Sequence, residues 1–96
     1  MTNHPNRSTA SKILASGLNI ARQIYNSGSV TLIPGDAAHN ADVKGRVAAA
    51  LIAVEASMSA YNESDSPKDV PTYIDAEQFR QNMRDGLASI LRRIAE

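Results

Sequence analysis

The stretch from Val43 to Tyr61, VKGRVAAALIAVEASMSAY, decides how this chain of 96 residues is read. It contains no proline, and Lys44, Arg46 and Glu55 are its only charges. Placed about 100° apart on a helix, its residues sort into three arcs. Val47, Leu51, Val54, Met58 and Tyr61 step by four, three, four and three, the heptad-like spacing of a packed seam. Ala49, Ala53, Ala56 and Ala60 cover a second arc, with Ser57 beside them. Lys44, Glu55, Ser59 and Asn62 complete the circle as a thin polar stripe. A helix apolar over so much of its circumference needs neighbours on more than one side. The pattern runs from about residue 37 to residue 62, so the helix would be roughly 39 Å long at its rise of 1.5 Å per residue. That exceeds the usual span of a small domain.

Working outward, Pro34-Gly35 is a turn signal and Asp36 can cap the central helix. Before the turn, VTLIPG at residues 30–35 reads as an apolar loop whose Leu32 and Ile33 pack over the helices. A lone strand there would leave its peptide groups unpaired unless a second copy supplied the partner. Residues 9–26 repeat at helical spacing, with Ser8 as N-cap. Ile13, Leu14, Leu18, Ala21, Ile24 and Tyr25 share one broad face, and Lys12, Ser16, Asn19, Gln23 and Asn26 the other. Gly17 costs about 1 kcal/mol relative to Ala in a helix interior, which points to close approach of a neighbouring helix. SGS at residues 27–29 ends the element, and residues 1–7, without periodicity, read as a disordered arm.

On the other side, residues 63–72 have loop composition. Asp75 and Gln78 then form a capping box for a last helix from Ala76. Phe79, Met83, Leu87, Ile90 and Ile94 make its apolar stripe, flanked by Gly86 and Leu91. Arg92 and Arg93 near its end suit the helix dipole. The expected fold is all-α with three helices, an N-terminal helix beside a hairpin built on the long central one. Residues 8–96 form a single domain, and the domain assembles as a homo-oligomeric bundle.

Composition removes several classes of function. Without cysteine, disulfides and thiolate metal sites are excluded, and the cytoplasm is the expected location. No apolar run approaches the ~18–20 residues of a membrane span, and the polar N-terminus does not resemble a secretory signal. Ten basic groups balance ten acidic ones, but unevenly. Residues 1–50 hold five cations against Asp36 and Asp42, whereas residues 51–96 hold five against eight acids. Such a chain is suited to head-against-tail association and poorly suited to binding polyanions over its whole surface.

The residues that carry chemistry do not assemble into a motif. Asp36, His39 and Asp42 share a helical face, but three such groups make a metal site only with a defined geometry and second shell. A solvated helix start is the simpler account, and no metal or cofactor is expected. Glu55, an acid in an apolar helix, is expected to pair with Lys44 or Arg92. No G-x-S-x-G element and no glycine-rich phosphate loop followed by Lys occurs. The chain is expected not to be an enzyme.

The expected role is binding of a protein partner, as an inhibitor, adaptor or regulatory subunit, by a homo-oligomer. Its interface would comprise Ala49, Ala53, Ala56 and Ala60, with Leu32 and Ile33. Two alternatives depend on Lys12, Arg22, Lys44 and Arg46 converging on one flank. One is a DNA- or RNA-binding regulator, with oligomerisation doubling the basic patch. The other is capture of a small phosphorylated or nucleotide ligand at a subunit junction, using loop amides near residues 27–36.

Overall fold

The computed structural model describes residues 9–68 and 70–95. Three helices account for most of them: α1 (Thr9–Tyr25), α2 (Ala37–Glu63) and α3 (Val70–Ala95). No strand occurs among the described residues, and no helix there is long and apolar enough to cross a membrane. The arm expected over residues 1–7 and the Ser8 cap lie outside the described residues.

Each boundary has a local cause. α1 ends where Asn26 N donates to Arg22 O and the Ser27 hydroxyl takes Ile24 O at 2.7 Å. Pro34 and Gly35 form a tight turn closed by Asp36 N donating to Ile33 O at 3.0 Å. Gly35 has φ +82°, the left-handed value that position demands. Asp36 then caps α2 as expected, its Oδ1 accepting from His39 N at 3.0 Å.

The segment before the turn solves its hydrogen-bond problem without a strand partner. Asn40 accepts from Ile33 N at 2.9 Å and donates to Ile33 O at 3.0 Å, gripping both sides of that residue. His39 Nε2 donates to Thr31 O at 2.8 Å. Side chains from the first turn of α2 thus satisfy the loop locally.

The expected capping box is not formed. α3 starts at Val70, so Asp75 and Gln78 lie inside the helix, where Gln78 instead donates to Asn82 Oδ1 at 3.2 Å. Pro71 does not prevent the earlier start, because a first-turn N–H has no partner within the helix anyway. The extra turn sets Tyr73 against Tyr61, ring centroids 5.8 Å apart, and leaves Ala76 wholly buried.

α1 and α3 each pack along α2, which is the spine. Gly17 meets Ser57 and Gly28 meets Arg46, so the two contacts step eleven residues in opposite directions and α1 runs antiparallel to α2. Tyr61 with Tyr73 and Glu55 with Arg80 define the antiparallel α2–α3 pair in the same way. The seam of α2 faces inward as read from sequence: Val47, Val54, Met58 and Tyr61 are buried and Leu51 packs beside them. Leu14, Leu18 and Ala21 meet them from α1, and Met83 and Ile90 from α3. Burying each large side chain contributes about 1.5–3 kcal/mol. Ile94, expected on the α3 stripe, remains 43% exposed beside Gly35, Ala37 and Asn40, near the end of the helix.

The close approach expected at Gly17 is present. A Cβ built there would lie 2.1 Å from Ser57 Cβ, so only glycine fits. Ser57, buried in this contact, donates its hydroxyl to Val54 O at 2.9 Å within its own helix.

Candidate interaction surface

α2 presents apolar or small side chains over most of its circumference outside the Lys44–Glu55–Ser59–Asn62 stripe, and two flanking helices cover only part of it. Ala50 and Ser57 are buried at the edge against α1. The alanine arc lies just outside that edge: Ala49, Ala53 and Ala60 are half-buried and Ala56 is exposed. Between the arc and α1 runs a shallow groove where Ile13, Gly17 and Ile20 face Ala53 and Ala56. Ile20 is 52% exposed and Ile52, on the far side of the arc, is 66% exposed.

The outer face of the α1–α2 pair therefore joins small residues on α2 to isoleucines on α1. From Gly45 to Ala60 the charge on this side of α2 is Arg46, whose guanidinium is turned into its contacts with Asp42 and Ser29 O, and Asp42 and Glu63 stand at its two ends. Ile20 and Ile52 belong to the surface, although neither was placed on it from sequence. The available signal was that each is a large apolar residue left outside every assigned arc.

Leu32 and Ile33 do not join this face. Leu32 packs against the core and helps line a separate cleft between the loop at residues 30–32 and α3. Tyr25, Val30, Met83, Ile90 and Arg93 also border that cleft. Ile33 is 46% exposed on the loop that Asn40 grips.

The four cations named from sequence are dispersed. The Arg22 guanidinium lies over the Phe79 ring, 5.4 Å from its centroid, on the α3 side. Arg46 is drawn inward: its Nε donates to Asp42 Oδ2 at 3.1 Å, and its guanidinium donates to Ser29 O. It thereby ties the loop after α1 onto α2. Lys12 and Lys44 are exposed, but the antiparallel register sets them roughly 25 Å apart along the helices.

The acid and histidine positions are likewise engaged. Asp36 caps α2, His39 holds Thr31 O and Asp42 holds Arg46. Among the described residues no group of three or more His, Cys, Asp or Glu is placed to hold a metal ion. Glu55 pairs with Arg80 at 3.5 Å, rather than with Lys44 or Arg92, because the antiparallel register that sets Tyr73 on Tyr61 brings Arg80 alongside. Arg80 is also held by Glu77 at 2.9 Å.

Comparison of the chain with protein-family models, with curated proteins and with solved structures finds no match.

Proposed function

We propose that this protein acts without catalysis, by binding a protein partner as a homo-oligomer, in the manner of an inhibitor, adaptor or regulatory subunit. The observation that carries the reading is the small-residue and isoleucine outer face of α1 and α2, bordered by Lys12, with Ile20 and Ile52 more than half exposed. Isolated exposed apolar residues are ordinary, whereas two large ones beside a continuous small-residue track form a docking surface. The dispersal of Lys12, Arg22, Lys44 and Arg46 favours this reading over nucleic-acid or phosphate binding, since neither alternative gains a concentrated positive footprint.

Molecular mass in solution, measured against concentration, tests the self-association. The parent chain is expected to form an oligomer, and Ala53→Arg to weaken it. Forcing that bulk into the contact costs about 1–3 kcal/mol, which raises the dissociation constant ~5- to ~150-fold. A parent that stays a folded monomer at high micromolar concentration refutes the homo-oligomer. Turnover that is abolished by His39→Ala or Glu55→Ala, with folding intact, refutes the non-catalytic role.

A further inference from the structure

The antiparallel register inside the chain constrains how a second copy can cover the outer face. Extending the Gly17–Ser57 and Gly28–Arg46 contacts along the helices sets Ile13 within one residue of the height of Ala60, Ile20 of Ala53 and Ile24 of Ala49. The same register sets Lys12 level with the end of α2, where Glu63 lies. α1 thus offers bulk at the heights where α2 offers hollows. Lys12 and Glu63 are both exposed, and neither makes an ion pair among the described residues.

Two face-to-face dimers have two-fold symmetry. An axis across the helices inverts the levels and lays each helix on its own copy. Isoleucine then meets isoleucine, alanine meets alanine, and Asp42, already bridged to Arg46, comes opposite Glu63 of the partner subunit, so that Glu63 and Lys12 gain no countercharge. An axis parallel to the helices preserves the levels and lays α1 across α2 of the partner subunit. Isoleucines then enter the alanine track, and Lys12 meets Glu63 of the partner subunit. Every neighbouring pair of helices is antiparallel, giving a four-helix core.

The size is just sufficient. α1 is about 25 Å long and two adjacent helices span roughly 20 Å, so the face covers about 500 Å² per protomer in projection. The total of about 1,000 Å² stands at the threshold for a biological interface, below the ~1,200 Å² at which stable ones begin.

We propose that the occupant of this face is a second copy of the chain, docked about a two-fold axis parallel to the helices, with Lys12 paired to Glu63 of the partner subunit. The proposal rests on the self-association reading above and adds its symmetry and register.

Because the chain has no cysteine, single cysteines at exposed Lys44 and Asn62 allow donor and acceptor dyes to be placed on different subunits. Energy transfer between dyes at 62 on both subunits should exceed transfer between 44 on one and 62 on the other. The levels of these positions differ by roughly 27 Å. Lys12→Glu and Glu63→Lys should each raise the dissociation constant about tenfold, because two equivalent pairs turn repulsive, and the double variant should restore it.

An oligomer sensitive to Ala53→Arg but with the transfer order reversed overturns this docking and leaves the self-association reading standing. Tightening by Glu63→Lys alone has the same consequence, because it marks the arrangement with Asp42 opposite. An oligomer indifferent to Ala53→Arg overturns the docking by moving the contact elsewhere. A parent that remains monomeric removes both.

Discussion

Alanine in place of glycine should have opposite effects at three helical positions of this chain. In a helix interior the change is worth up to about 1 kcal/mol in favour of alanine, since glycine loses more backbone freedom on folding. At Gly45 and Gly86 a Cβ would meet nothing within 4 Å, so Gly45→Ala and Gly86→Ala should each stabilise by about 0.5–1 kcal/mol. At Gly17 the added methyl would sit 2.1 Å from Ser57 Cβ and 2.3 Å from its Oγ. Carbon atoms pack at about 3.5–4.0 Å, so α1 and α2 must move apart by more than an ångström at their closest point. Overpacking of this kind costs about 1–3 kcal/mol and offsets or exceeds the propensity gain, leaving Gly17→Ala net destabilising by up to about 2 kcal/mol. Urea unfolding at one fixed protein concentration measures the difference, and in thermal unfolding each kcal/mol corresponds to about 4–8 °C for a domain of this size. Ser57→Gly removes the atoms that the methyl strikes, so the two changes together should cost less than the sum of their separate effects. If Gly17→Ala raises stability as Gly86→Ala does, the close α1–α2 contact and the register drawn from it are wrong.

Three further outcomes are expected. Asn40→Ala removes both bonds to Ile33 and should cost about 1–2 kcal/mol, with faster amide exchange at Ile33. Asp36→Ala should cost about 1 kcal/mol through loss of the α2 cap, seen as a lower urea midpoint and fraying of the first turn. The Glu55–Arg80 pair is 3.5 Å apart with side chains 42% and 24% exposed, so a double-mutant cycle should find a coupling below ~1 kcal/mol that declines with salt.

Helical periodicity and caps are local, so all three helices are legible along the chain. The seam from Val47 to Tyr61 pointed inward as its spacing required, Asp36 capped the helix it precedes, and Gly17 implied the contact it makes. The α3 start was misread because Asp75 and Gln78 satisfy a capping pattern that a helix already begun at Val70 does not need. That earlier start depends on packing, through Tyr73 on Tyr61 and the burial of Ala76, and packing is not local. The partner of Glu55 was misread for the same reason: relative helix register selects Arg80, and no spacing within one helix encodes it. The candidate surface divides along the same line. The alanine arc was visible as a periodicity, but its extension to Ile20 and its separation from Leu32 and Ile33 required α1 to be placed beside α2. Likewise, helix packing sets the four cations apart, with Arg46 turned into the loop contact and Arg22 over Phe79. Charge counted along a chain carries no direction; the rotation and antiparallel order of the helices about α2 supply it.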